Sequence, residues 1–226
     1  QRFEGKFDAG PSMSTQTGPV DSIRVGAPSR NPQIRLIGWK KGSLLTDSLT
    51  ATAKVESGEI VADPAKDIVK LAVQERNRNT GRTAVGFVKG LGLRRGALGA
   101  SVAHDAHPFI VAGADDASML TALKWLREQG GGLVACEGTR ILACLSLTAG
   151  GLMSDEPLSA VADQLTAVDQ AAAGLGLVGD HPCMALSFLS LSVIPSLKLT
   201  DQGYVDIGQS GLQELLVTGG QDGDIS

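Results

Sequence analysis

The sequence predicts an α+β fold, in which mixed β-sheets carry two or three flanking helices and strands of a small β domain lie near the N-terminus. Three observations support this class. Short apolar segments bounded by glycine recur along the chain, as expected for strands. Only two segments show the apolar spacing of a helix. Of the 226 residues, 42% are hydrophobic but only 4% are aromatic, which predicts a core of aliphatic side chains.

Composition sets the two ends of the chain apart from its middle. Residues 1–32 are rich in Gly, Pro, Ser and Thr, which is typical of an irregular linker. From residue 33 onward the pattern changes to short apolar segments bounded by glycine. Residues 208–226 are predicted to contain a C-terminal strand followed by a frayed polar tail.

Strands are predicted where apolar residues run or alternate between turn residues. In chain order the predicted strands are 34–37, 49–55, 68–73, 83–88, 97–103, 108–112, 133–136 and 141–147. The polar stretch 77–82 contains Asn and Gly, which favour the positive φ angles of a tight turn. The run 184–193 is rich in Leu and Ser, which fits either a helix or a strand.

Two helices are predicted. The first begins at Asp115 or Asp116, which can cap it, and the three glycines at 130–132 end it. Its apolar stripe contains Met119, Ala122, Leu123 and Leu126. The second begins near Pro157, with Ser154 or Asp155 as its cap. Its predicted buried stripe contains Leu158, Val161, Ala162, Leu165, Val168 and Ala172.

Charge and cysteine content exclude several classes of protein. Twenty basic and 24 acidic residues give a net charge of −4, which argues against binding to nucleic acid or to an anionic membrane surface. The longest apolar stretches are shorter than the roughly 20 residues that span a bilayer. Three cysteines are too few for a disulfide framework, and no secretory signal opens the chain, so a cytoplasmic location is expected.

The segment His104-Asp105-Ala106-His107 is the most chemically suggestive part of the sequence, because it separates two predicted strands. Two imidazoles around a carboxylate can relay a proton or bind a metal, but a catalytic zinc needs three protein ligands. A structural turn in which Asp105 caps backbone amides explains the segment equally well. The segment 154–156 similarly fits either an ordinary helix start or a pair of carboxylates that accept N–H groups of a heterocycle.

Taken together, these segments resemble the C-terminal part of the adenine deaminases of the amidohydrolase superfamily. The matching segments are DPAKDI at 63–68, KLAV at 70–73, AVGFVKG at 84–90, RGA at 95–97, SVAHD at 101–105 with His107, GGG at 130–132, AGGLMSDEP at 149–157, LSFL at 186–189, IP at 194–195 and LKLTD at 197–201. Their order and spacing fit over roughly residues 33–207. The resemblance implies that residues 33–60 form part of the small β domain beside the barrel and that residues 61–207 are the family's C-terminal domain.

The resemblance implies hydrolysis of adenine to hypoxanthine and ammonia at two divalent ions, Mn or Fe, held by an N-terminal β/α barrel. The barrel's histidine and aspartate ligands have no counterpart in this chain. We therefore expect no metal to be bound by this chain alone and no activity without the barrel, supplied in cis or in trans. A homo-oligomer is also expected.

Within the resemblance, His104 and Asp105 are the candidate catalytic residues. Substrate contact or closure of the site is expected of five more residues: Ser101, His107, Ser154, Asp155 and Glu156. Three alternatives stay open. The chain could be a nucleobase-binding or regulatory module, a structural domain that covers a barrel or dimer surface, or a free-standing hydrolase built on His104 and His107.

Overall fold

The structure, a computed structural model, describes residues 23–78, 80–104, 106–179, 181–209 and 211–217. Within them lie thirteen strands and three α-helices. The strands are β1 (Gln33–Gly38), β2 (Asp47–Thr52), β3 (Lys54–Glu56), β4 (Glu59–Val61), β5 (Ile68–Gln74), β6 (Thr83–Lys89), β7 (Ala97–Ala100), β8 (Phe109–Gly113), β9 (Gly132–Glu137), β10 (Arg140–Ser146), β11 (Leu197–Thr200), β12 (Gly203–Asp206) and β13 (Leu212–Gln213). The helices are α1 (Asp116–Gln129), α2 (Leu158–Gly174) and α3 (Pro182–Ser187), and 3₁₀ turns cover Pro64–Lys66 and Phe188–Ser190.

An eight-stranded mixed sheet forms the centre of the molecule, in the order β10-β9-β7-β8-β5-β6-β1-β2. All neighbouring strands pair antiparallel except β1 and β6, which are parallel. Strands β11–β13 form a second sheet, and β3 and β4 form a third. The predicted α+β class, with mixed sheets and flanking helices, is confirmed. The proposed boundary between residues 60 and 61 stays a prediction, although β1 and β2 belong to the same sheet as β5 to β10.

Alternation along the strands sends apolar side chains to both faces of the large sheet. Ala72 on β5 packs with helix α1, whereas its neighbours Leu71 and Val73 pack on the opposite side with α2, α3 and β11. The helix α1 begins and ends as predicted. Asp115 accepts a hydrogen bond from the Ser118 amide, and Gly130 adopts the left-handed conformation that ends the helix.

Three sequence-based predictions need correction, and one ambiguity is resolved. The strand predicted at 97–103 ends at Ala100, because the following residues form the turn that carries His104. The segment 49–55 is divided between β2 and β3. The ambiguous run at 184–193 is partly helical, since α3 and a 3₁₀ turn cover residues 182–190. The N-cap residue of helix α2 is Pro157, and no side chain caps the helix. The prediction that Ser154 or Asp155 caps it is therefore wrong.

The predicted buried stripe of α2 is also wrong in its first half. Val168 and Ala172 are buried, but Leu158 is 85% exposed and Leu165 is 38% exposed. In the first half of the stripe, Val161 is half-buried and packs against the core, so this part of the helix is only partly covered. Residues 1–22 and 218–226, which hold most of the predicted linker and tail, lie outside the described residues. None of the helices in the described part of the chain combines the length and apolar character needed to span a bilayer.

Candidate functional site

The candidate site is a turn that joins the ends of β7 and β8. The backbone of His107 has φ +48°, a left-handed conformation that is uncommon for a residue with a side chain, and its amide donates to the Ala103 carbonyl at 2.8 Å. This hydrogen bond closes the turn between Ala103 and His107. Asp105, one of the two candidate catalytic residues, lies outside the described residues.

His104 is held by the segment that runs from α3 into its 3₁₀ turn. Its ring packs on the ring of Phe188, with 4.9 Å between the ring centroids, and the His107 ring lies 6.2 Å away. The His104 amide donates to the Ser187 carbonyl at 3.2 Å, and the Ser190 hydroxyl donates to the His104 carbonyl at 2.8 Å. Because the backbone is fixed on both sides, the half-exposed imidazole has a defined position.

Arg76 braces the far end of this turn. Its guanidinium donates to three backbone carbonyls, those of His107 at 2.9 Å, Gly130 at 3.3 Å and Gly150 at 2.8 Å, and it lies 5.8 Å from the centre of the Phe109 ring. Partial burial lowers the pKa of Arg76. One side chain therefore links the His104 turn to two glycine-rich loops that are distant in sequence.

Ser101 makes the second link between the same segments. Its buried hydroxyl accepts from the Gly132 amide at 2.7 Å and donates to the Gly151 carbonyl at 2.6 Å. A Cβ at Gly131 would lie 2.4 Å from the Gly151 Cα atom, so the two loops are in close contact. The structure thus gives Ser101 a positioning role under the turn, while its predicted role in substrate contact or closure stays untested.

The other predicted carboxylates lie downstream of this contact. Ser154 accepts a hydrogen bond from the Glu156 amide at 3.2 Å, and Thr148 donates to the Asp155 carboxylate at 3.3 Å. Asp155 and Glu156 are exposed. Their segment is connected to the His104 turn through the carbonyls of Gly150 and Gly151, which accept hydrogen bonds from Arg76 and Ser101. The two carboxylates remain accessible on the surface.

Sequence reasoning missed Arg76, because it stands in a basic stretch that reads as a solvated turn. The signal available in the sequence was its position two residues after the apolar run that forms β5. An arginine at such a point can reach carbonyls at the strand ends with several donors. Asn77 supports the same turn, since its side-chain amide donates to the Ala106 carbonyl at 2.8 Å.

The three cysteines do not provide a nucleophile. Burial raises the pKa of Cys136 and of Cys183 to about 12 and also raises that of Cys144. Since the thiolate is the reactive form, this burial lowers the reactivity of all three thiols. Cys136 and Cys183 lie in the core, and the partly buried Cys144 packs against it.

Comparison with known proteins identifies the family. Residues 43–210 match the adenine deaminase C-terminal domain family, and the chain belongs to it. It is 50% identical over 189 residues to an adenine deaminase of Oleidesulfovibrio alaskensis, covering 83% of this chain and 33% of that protein. It is 42% identical over 197 residues to an adenine deaminase of Desulfatibacillum aliphaticivorans, covering 87% of this chain and 35% of that protein. The chain spans about a third of the length of the curated relatives that it matches.

Proposed function

We propose that this chain acts in the hydrolysis of adenine to hypoxanthine and ammonia, as the C-terminal domain beside a catalytic N-terminal barrel. The observation that carries the proposal is the fixed turn at 101–107, which lies inside the family match. Its backbone is held by Arg76 and Ser190, while the His104 ring stays half-exposed. Such an arrangement presents an imidazole to a partner surface at little entropic cost.

His104 and Asp105 are proposed to contact the purine or to handle a proton, because imidazole exchanges protons near neutral pH. His107 shapes the turn through its positive φ. Asp155 and Glu156 are proposed to close the rim of the site, with Ser154 ordering their segment. Carboxylates at that rim can accept the exocyclic amino and ring N–H donors of a purine.

The two divalent ions, Mn or Fe, belong to the barrel in this proposal. Among the described residues, no group of three or more His, Cys, Asp or Glu side chains is placed to bind a metal ion. The ligand set present in the described part of the chain does not fit a dinuclear centre, so we assign no metal ligand here. No step of the reaction is derived through the ions.

Helix α2 supports docking against a further domain. Its exposed face carries apolar residues at helical spacing, namely Leu158, Ala162 and Leu165. We call Leu158, Ala162 and Leu165 the α2 strip. Contiguous apolar surface of this kind marks an interaction site. The barrel is its proposed occupant, since the relatives are about three times as long as the matched region. A cytoplasmic location and a homo-oligomeric assembly are part of the same proposal.

The role of His104 is tested in a chimera in which this chain replaces the C-terminal third of the Oleidesulfovibrio alaskensis adenine deaminase. We expect His104→Ala to lower kcat/KM for adenine about tenfold or more, as loss of one transition-state contact or proton carrier does. Ammonia release is the measurement. Lys124→Ala, on the opposite face of the sheet, is the control that keeps full activity. Unchanged turnover in a folded His104→Ala chimera would remove the histidine from the proposed site.

A further inference from the structure

A second candidate site lies beside α3. It is a cleft of about 310 Å³ between the loop after β1, the helix α3 and the strand β11. Trp39, Leu44, Met184 and Phe188 supply most of its walls. The volume is at the lower end of the range for small-molecule sites, and the lining is apolar and aromatic with a few polar groups, as such sites are.

Lys198 lies at the base of this cleft. On β11 its neighbours Leu197 and Leu199 point into the main core, so alternation turns Lys198 to the opposite face. The side chain is fully buried, and its Nζ donates to the Leu44 carbonyl at 2.9 Å. No carboxylate of a described residue lies within ion-pair distance of this ammonium group. A buried cation with a neutral acceptor alone is unfavourable, since charges in protein interiors are ordinarily paired.

The other titratable side chains that line the cleft are basic. Lys41 and His181 lie on its lining, and none of its described lining residues is an Asp or a Glu. The His181 Nδ1 atom lies 3.9 Å from the Asp169 carboxylate, which therefore offsets His181 but not Lys198. Desolvation lowers the pKa of Lys198 to about 8, so the ammonium is still largely protonated near pH 7.

We propose that this cleft binds a small planar anion, of the class of aromatic or heteroaromatic carboxylates. The ring lies between the side chains of Trp39, Met184 and Phe188, and the carboxylate faces the floor above Lys198. The ligand then supplies the negative charge that the described residues do not. The site adjoins the proposed catalytic turn, because Phe188 lines the cleft and also packs on His104.

Benzoate is the probe, and benzamide is its neutral match in size and shape. Binding to the 226-residue chain is measured at pH 7 by ligand-observed NMR and by backbone amide shifts. We expect benzoate to bind about tenfold more tightly than benzamide. A carboxylate is attracted more strongly than a neutral amide to a buried ammonium group. The shifted amides are expected to lie around Trp39, Ala185 and Leu189.

Two pairs of variants locate the binding. Lys198→Met is expected to weaken benzoate binding about tenfold without changing benzamide binding, and Lys124→Met on α1 is its control. Met184→Trp fills the cleft and is expected to abolish binding of both probes. Met153→Trp is its matched control, because the two methionines are 58% and 57% exposed, and it keeps full binding.

Absence of benzoate binding, or equal affinity for benzoate and benzamide, would overturn the proposal. Binding that survives Met184→Trp would also overturn it, because the probe would then be held elsewhere. Since Met184 is exposed, that variant keeps the test decisive even if Lys198→Met does not fold.

Discussion

Replacing Arg76 with Met is expected to lower the free energy of unfolding by roughly 3–5 kcal/mol, because it removes charge-assisted hydrogen bonds to three carbonyls. The carbonyls belong to His107, Gly130 and Gly150, so the substitution removes a hydrogen bond from each of three segments. Denaturant unfolding of the isolated chain measures the change. Hydrogen exchange of residues 103–108 and 149–153 is expected to accelerate in parallel.

Two comparisons make the Arg76 prediction specific. Arg78→Met, two residues away on the exposed turn, is expected to change stability by about 0.5 kcal/mol or less. Arg76→Lys keeps the charge but not the fork of donors, so less than half of the loss is expected to be recovered. A change under about 1 kcal/mol in Arg76→Met would contradict the bracing role that we assign to it.

The double substitution Leu158→Ser with Leu165→Ser is expected to act only when the barrel is present. In the isolated chain the α2 strip is exposed, so the free energy of unfolding is expected to change by about 0.5 kcal/mol or less. In the chimera with the Oleidesulfovibrio alaskensis barrel, burial of two leucines contributes about 3–6 kcal/mol, which the substitution removes. Thermal unfolding and limited proteolysis of both proteins measure the difference.

Val168→Ala is the control for the α2 strip, because Val168 is buried in the isolated chain. It is expected to destabilise the isolated chain and the chimera alike, by about 2 kcal/mol. Equal tolerance of the double serine substitution in both proteins would show that the barrel does not cover the strip. Equal destabilisation would show that the strip is already packed within the chain.

Much of the fold could be predicted from local patterns. The strands around Leu71, Val85 and Val134 follow apolar runs, and α1 follows its stripe, its Asp115 cap and the glycine that ends it. These elements pack within the chain, so their patterns match their burial. The Leu158 end of α2 shows the limit of this reasoning. Its apolar spacing is real, but the matching surface is not in the described part of this chain.

The site could be predicted only in part, for a related reason. His104 was predicted as a candidate because it stands between two predicted strands, and its role stays a prediction. Arg76 and Lys198 were not predicted as candidates, because their contacts cross large sequence distances. Arg76 joins segments 31 to 74 residues away, and Lys198 reaches the Leu44 carbonyl 154 residues away. Composition and spacing carry no information about such contacts.

The most direct test of the proposed function is ammonia release from adenine with Mn(II) or Fe(II) present. Three samples are compared: the isolated chain, the Oleidesulfovibrio alaskensis enzyme without its C-terminal third, and the chimera that joins that fragment to this chain. We expect activity in the chimera, none above the metal blank in the isolated chain, and little in the fragment. Turnover by the isolated chain, or a folded chimera no more active than the fragment, would contradict the account.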